Sequence, residues 1–340
     1  MKSIIDLYKR HRKYKLLSSS LKKQYAFIGI GNHSLNNLYP VLDYLHVPLK
    51  YIVSENQQTA NCLNTTTWHC IPTNDYNIVL NDPSIEGIFI SASPNSHYEL
   101  IKKALENNKN VFVEKPPCQT LEELRHLISI QQKTGNNVQV GLQKRYAPSI
   151  ALLKKKINNI DHYTFSYTTG AYPEGNAIIE LFIHPIDLVV YLFGEAEIKS
   201  ILRNKETLLI HLLHKNGTAG SLELSTGYSW QEAKEQLTIV TKKDIYELKN
   251  LSELLCRNKP ITIGNIPAEK ILKFIPKTET LFNQNMFLPI NQHNNLYING
   301  FYSEIEMFIM ACENNNFTSN KSELTSLLNT YRLLESINKS

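Results

Sequence analysis

From residue 25 onward, short apolar runs alternate with amphipathic stretches. Residues 25–31 (YAFIGIG) form a run that ends in glycines, and 34–45 (SLNNLYPVLDYL) follow with apolar positions three to four apart. Further runs fall at 48–53 (PLKYIV), 86–93 (EGIFISAS), 110–114 (NVFVE) and 137–141 (NVQVG), with an irregular stretch after the second. Residues 96–108 (SHYELIKKALENN) and 120–135 (TLEELRHLISIQQKTG) read as helices. The second has a capping box in Thr120 and Glu123 and a stop at Gly135. Short buried runs separated by helices predict βαβ units and a parallel, doubly wound sheet.

After about residue 147 the pattern changes. Strand-like segments at 162–172, 198–204, 207–214, 217–227, 235–241 and 244–250 lie close together, with helical patterns at 179–194, 302–315 and 322–340. Strands in sequence with few crossovers predict an α+β domain with a large mixed or antiparallel sheet. The expected organisation is therefore a basic helical extension over 1–24, a nucleotide-binding domain over 25–147 and an α+β domain over 148–340. The C-terminal helix of the last unit is free to return to the first.

Composition adds little until charge is placed along the chain. Residues 1–24 carry eight Lys or Arg against one acid, Asp6, whereas the remaining 316 hold 28 basic and 30 acidic side chains. The near-neutral body argues against nucleic acid as a general partner. The basic segment has Ile4, Leu7, Tyr8, His11 and Tyr14 near helical spacing. It reads as a solvated helix or a peripheral docking helix, without the apolar core of a secretory signal. No window holds 18 consecutive apolar residues, so no membrane span is expected. Five cysteines (62, 70, 118, 256 and 312) form no CxxC pair, which fits a cytoplasmic protein, and no metal site is expected.

Gly29 and Gly31, in AFIGIGNHS, directly follow a strand and precede a helix. Glycine there permits a tight turn and close approach of a pyrophosphate, with the helix N-terminus aimed at the anion. Ser34 replaces the third glycine of the fingerprint and keeps a small side chain. A carboxylate about 20 residues on holds the adenosine ribose in NAD enzymes. Here the second strand ends with Ser54 and Glu55, with no arginine nearby to attract a 2′-phosphate, so the cofactor reads as NAD or NADP with a lean to NAD.

With these pieces placed, residues 25–340 resemble the glucose–fructose oxidoreductase / inositol dehydrogenase / MocA family. The likeness rests on FIGIGNHSLNNLYPVL, on IEGIFISASPNSHYELIKKALENNKNVFVEKP, on GLQKRYAPSI, and on ELFIHPIDLVVYLFGE with its acid, histidine and aspartate. The resemblance implies an oxidoreductase in which the Glu114-Lys115-Pro116 strand exit faces the nicotinamide. It implies a lysine that contacts both cofactor and reacting hydroxyl, and a sheet that commonly mediates dimers or tetramers. It also extends cofactor contacts to Asn32, His33, Ser93, Pro94, Asn95 and Glu114.

Oxidation of a carbinol needs a base for the hydroxyl proton and a cation for the developing alkoxide. Lys115 suits the cation role and His184 the proton-transfer role. Glu180 and His184 stand four apart, which on one helix puts them on one face within reach. Glu180 stands where the family has aspartate. Arg145 binds the substrate side of the cleft or pairs with an acid at the domain interface. Asp187 contacts substrate or bonds its neighbours, and Tyr172 is a wall residue with Trp230. The expected reaction is on a polyol, sugar or nucleotide-sugar, by a homo-oligomer. The alternatives are a cofactor-binding sensor or scaffold without turnover, and an imine reductase.

Overall fold

The computed structural model of the protein describes residues 2–17, 21–66, 69–260, 262–263, 266–271, 273, 277–284 and 295–340. Its first sheet has six parallel strands: β1 (Gln24–Ile28), β2 (Leu49–Val53), β3 (Ile71–Thr73), β4 (Ile85–Ile90), β5 (Asn110–Glu114) and β6 (Val138–Gly141). Their order is β3-β2-β1-β4-β5-β6. The order reverses between β1 and β4, and a crevice opens beyond the carboxyl ends of such strands.

A helix α1 (Lys2–Leu17) precedes this sheet. The connections carry α2 (Tyr39–Tyr44), entered through a π-helical turn at Ser34–Leu38, then α3 (Gln57–Thr66), α4 (Tyr76–Asn81), α5 (Pro94–Glu106) and α6 (Leu121–Thr134). The stretch that reads as irregular thus holds α3, β3 and α4. Apolar periodicity does not mark α3 (QQTANCLNTT); its start is fixed by Asn56, whose Oδ1 accepts from the backbone N–H of Gln58 at 2.9 Å. The capping box of α6 forms as read: Glu123 N–H donates to Thr120 Oγ1 at 3.1 Å, and Thr120 N–H to Glu123 Oε2 at 3.2 Å.

Helix α7 (Pro148–Lys156) leads into the second sheet, formed by β7 (Ile160–Thr168), β8 (Ala196–Arg203), β9 (Thr207–His214), β10 (Ala219–Ser225), β11 (Lys234–Thr241), β12 (Asp244–Lys249), β13 (Glu253–Asn258) and β16 (Thr278–Asn283). Two-residue strands β14 (Thr262–Ile263) and β15 (Ile266–Pro267) pair separately. The eight strands run β16-β13-β12-β11-β7-β10-β9-β8, antiparallel except where β7 meets β10. Burial on β9 alternates, as a half-covered strand requires: Leu208, Ile210 and Leu212 face the core, while Leu209 and Leu213 lie on the open face.

Helices α8 (Ala177–Glu180) and α9 (Ile183–Phe193) fall between β7 and β8, and α9 is buried on nearly all sides. After α10 (Asn295–Ile298), helix α11 (Phe301–Asn314) returns to the first sheet. Phe308 meets Phe89 with ring centroids 5.2 Å apart, in one apolar cluster with Phe27, Phe112 and Ile305. Helix α12 (Leu328–Lys339) closes the chain against α9, α6 and β8. The segment after residue 148 therefore supplies part of the first sheet's cover as well as a domain of its own.

Candidate active site

The crevice begins at the glycine turn. Gly29 has φ +101°, and a β-carbon there would lie 2.1 Å from the carbonyl oxygen of Ser91, so the exits of β1 and β4 approach too closely for any side chain. At Gly31 a β-carbon would meet nothing within 4 Å, leaving open space over the turn. Ser34 is fully buried; its hydroxyl accepts from Gly31 N–H and donates to Gly31 C=O, each at 3.0 Å, locking the loop. The exposed Asn32 and His33 follow at the helix start. Ser54 and the exposed Glu55 sit at the tip of β2, where Ser54 N–H donates to Thr73 C=O at 3.1 Å. Ser93 precedes α5, with Pro94 and Asn95 in its first turn. Open space at Gly31, a helix start and polar groups along consecutive strand exits fit a dinucleotide.

At the end of β5, Glu114 is buried and its carboxylate lies across the end of β6. A β-carbon on Gly141 would stand 2.9 Å from Glu114 Oε1, so glycine makes the space. His33 reaches back from the glycine turn to place Nε2 3.2 Å from the same oxygen. Burial alone would raise the Glu114 pKa, but His33, Lys115 and His97 together hold it below the usual carboxylate value. Burial also pulls His33 down, and the Glu114 carboxylate more than offsets this, leaving it above the usual histidine value.

The Lys115–Pro116 peptide is cis. Lys115 Nζ donates to the backbone carbonyl of Glu180 at 2.7 Å, joining the first domain to the second. Burial lowers its pKa below that of an ordinary lysine, against the opposing pull of Glu114 and Glu180. Buried His97 ties two strand exits together, with Nδ1 2.7 Å from Pro116 O and Nε2 3.0 Å from Ala92 O. His184, on the first turn of α9, is buried with its Nδ1 unpaired among the described residues. Burial, then the charges of Lys115, Lys144 and His33, hold its pKa well below the usual histidine value. At neutral pH it is therefore an uncharged imidazole beside a lysine.

Glu180, Arg145 and Asp187 find partners within the protein. Glu180 and His184 do not share a helical face, because α8 ends at Glu180 and α9 starts at Ile183, with a turn at 181–182 between them. The Glu180 carboxylate instead accepts from Tyr172 OH at 2.9 Å and from Asn176 N–H at 3.2 Å. Burial and Glu180 push the Tyr172 hydroxyl up to about 12. Its ring lies 6.4 Å from that of Trp230, whose indole N–H donates to Ala171 C=O at 2.8 Å. Arg145 and Asp187 are each 2% exposed and bind one another in two parallel bonds, Nε to Oδ2 at 2.7 Å and Nη2 to Oδ1. Arg145 also donates to Ser326 Oγ at 2.8 Å, and Thr330 donates to Asp187 at 3.2 Å. Both side chains are buried and engaged within the protein: Arg145 pairs with an acid of the second domain, and Asp187 bonds its neighbours.

Lys144 escapes the sequence reading. It is buried, pairs with Glu235 Oε2 at 2.5 Å, and lies over the Tyr167 ring at 4.7 Å. Its charge acts on both Lys115 and His184. Nothing local marks it, since its partner lies 91 residues away. Among the described residues no group of three or more His, Cys, Asp or Glu side chains is arranged to hold a metal ion.

Residues 23–142 match a family model described as oxidoreductase family, NAD-binding Rossmann fold. Scyllo-inositol 2-dehydrogenase (NAD(+)) of Bacillus subtilis (strain 168) is 32% identical over 195 residues, which are 50% of this chain and 56% of that one. The chain thus spans little more than half the length of that relative. A dehydrogenase from Clostridium difficile has the same fold, with a TM-score of 0.77 at 20% identity over 94% of this chain and 99% of that one. UDP-N-acetylglucosamine 3-dehydrogenase from Acidithiobacillus ferrooxidans does so at 0.74 and 16%, over 92% and 95%. Over residues 23–142, from its glycine turn through the Glu114-Lys115-Pro116 exit, the chain matches the glucose–fructose oxidoreductase / inositol dehydrogenase / MocA family of oxidoreductases with an NAD-binding Rossmann fold, and beyond those residues it shares the fold of the dehydrogenase structures.

Proposed function

We propose that the protein is an NAD(P)-dependent dehydrogenase, with NAD preferred, that interconverts a secondary alcohol and a ketone on a polyol, sugar or nucleotide-sugar. One observation carries this reading: Lys115, at the exit of β5, bonds the carbonyl of Glu180, four residues before His184 of α9, whose buried Nδ1 has no partner among the described residues and which feels the lysine's charge. Gly29, Gly31, Asn32, His33, Ser54, Glu55, Ser93, Pro94, Asn95 and Glu114 would line the dinucleotide. When bound, the nicotinamide supplies the hydride acceptor or donor.

The chain's own groups manage the proton and the charge. An ammonium has three N–H donors. Lys115 gives one to Glu180 C=O and keeps two for a substrate oxygen, where they stabilise the developing alkoxide. A ring nitrogen of His184, uncharged at neutral pH, takes the hydroxyl proton in oxidation and returns it in reduction. Tyr172, Glu180 and Trp230 supply a polar and aromatic wall suited to a hydroxylated ring. The names of the inositol and nucleotide-sugar relatives support that substrate class. Glu55 at the β2 tip favours a free ribose over a 2′-phosphate. The open face of the eight-stranded sheet, with Leu202, Leu209 and Leu213 exposed, suits pairing of identical chains.

Calorimetric titration with NADH and with NADPH, followed by a turnover screen of cyclitols, sugars and nucleotide-sugars, tests this. Tighter NADH binding and NAD-dependent oxidation of one substrate are the expected results. Binding without turnover on any of them favours a sensor, and no binding of either dinucleotide at millimolar concentration sinks the proposal.

A further inference from the structure

Helix α1 lies outside the residues matched by the family model, and its residues 4–11 are all exposed. Ile4, Leu7, Tyr8 and His11 recur at helical spacing, so they share a face. That face is in water: Ile4 is 70% exposed, Leu7 67% and Tyr8 64%, with Ile5 at 51% beside them. Lys9 and Arg10 are exposed as well. By sequence, residues 2–17 hold six Lys or Arg against Asp6 alone. Isolated exposed leucines are ordinary on a protein surface, but four large apolar side chains within five residues of a strongly basic helix are not.

We propose that α1 is an anchor that lays the protein on an anionic lipid bilayer, its Ile4–Leu7–Tyr8 face in the headgroup–acyl boundary and its basic residues among the lipid headgroups. The combination decides the occupant. A nucleic acid would neutralise the charge and leave the isoleucines and leucine in water. A second copy would cover the apolar face by setting two strongly cationic helices side by side, which repel. The body of the chain, near neutral over residues 25–340, brings no large net negative charge to such a pairing. An anionic bilayer offers apolar depth and extended negative charge together, which is what a basic amphipathic helix binds. The helix lies on the membrane and does not cross it: among the described residues no helix is long and apolar enough to span.

Co-sedimentation of the full chain with phosphatidylglycerol–phosphatidylcholine vesicles, against phosphatidylcholine alone, tests the anchor. Binding is expected on the anionic vesicles only, and weaker by about tenfold or more at high salt, where charges are screened. Ile4→Glu/Leu7→Glu and Lys9→Glu/Arg10→Glu should each lose at least about tenfold in vesicle affinity, and keep the parent's thermal unfolding because this face touches no core. Failure to bind anionic vesicles, equal binding to neutral ones, or undiminished binding by Ile4→Glu/Leu7→Glu overturns the proposal. So does a change in sedimentation coefficient of that variant without lipid, which would mean that a second copy covers the face.

Discussion

Lys115 donates to the backbone carbonyl of Glu180, 2.7 Å away, and so links the exit of a parallel strand in the first domain to the helix turn that precedes His184 in the second. The contact holds the lysine by a main-chain atom, so the identity of residue 180 is not what positions it. Lys115→Ala is expected to fold and to bind NADH within a few-fold of the parent. Its turnover should fall by about 10²–10³-fold, the usual effect of removing a group that stabilises an oxyanion. Lys115→Arg should not restore the rate, because a planar guanidinium does not replace a compact ammonium. A kcat for Lys115→Ala within tenfold of the parent would remove the lysine from the reaction.

The acid limb of the pH profile reports His184. Burial and three neighbouring cations favour its uncharged form, so its pKa lies well below the ordinary value of about 6.5. Alcohol oxidation needs that uncharged form. The rate should therefore stay level as pH falls through 6.5 and decline only further down, as the depressed pKa is passed. His184→Asn should lower kcat by about 10²–10⁴-fold and abolish that limb. A parent profile that breaks near the ordinary histidine value would contradict the assignment.

Gly29 and Gly31 should fail in different ways. Alanine at Gly29 must adopt a positive φ and approach Ser91 O, so Gly29→Ala should cost stability by more than about 1 kcal/mol in denaturant unfolding. At Gly31 a β-carbon meets no protein atom within 4 Å, and valine there fills the open space over the turn. Gly31→Val should leave the unfolding midpoint nearly unchanged and weaken NADH by tenfold or more, about 1.4 kcal/mol. Unaltered NADH affinity in Gly31→Val would place the dinucleotide elsewhere.

Arg145 and Asp187 are predicted to act on stability. Removing either leaves a buried charge unpaired, at about 3–5 kcal/mol. Changing both, as Arg145→Met/Asp187→Leu, should cost less than either single change to alanine, since well-packed apolar groups replace a buried pair with little loss. Equilibrium unfolding of the three variants checks this. Marginal loss in Arg145→Ala, joined to a raised KM, would return the residue to the substrate cleft.

The parts of the site that were legible in sequence share a property: their chemistry is decided by near neighbours. Gly29 and Gly31 are marked by the strand before them and the helix after, Thr120 and Glu123 by their spacing, and Lys115 by the proline that ends its strand. Glu180 and His184 stand four apart, which also points to a shared face, yet the helix breaks between them and the inference from i to i+4 fails. At the break the Glu180 carboxylate folds back onto Tyr172 and Asn176, while α9 starts anew at Ile183 and buries nearly its full circumference.

By itself, the sequence determined the alternation of apolar runs and amphipathic helices, hence the parallel sheet, the glycine turn at its first strand exit and the change to a mixed sheet after residue 147. These follow from periodicity and capping, which act over a few residues of chain. Only the tertiary structure decided which charged side chains face the cleft and which neutralise each other. Arg145 finds Asp187 42 residues away, Lys115 reaches Glu180 across 65, and Lys144 meets Glu235 across 91. Charges act through space and are costly to bury alone. Their partners are therefore set by how the two sheets and α9 come together, and no local pattern records that arrangement.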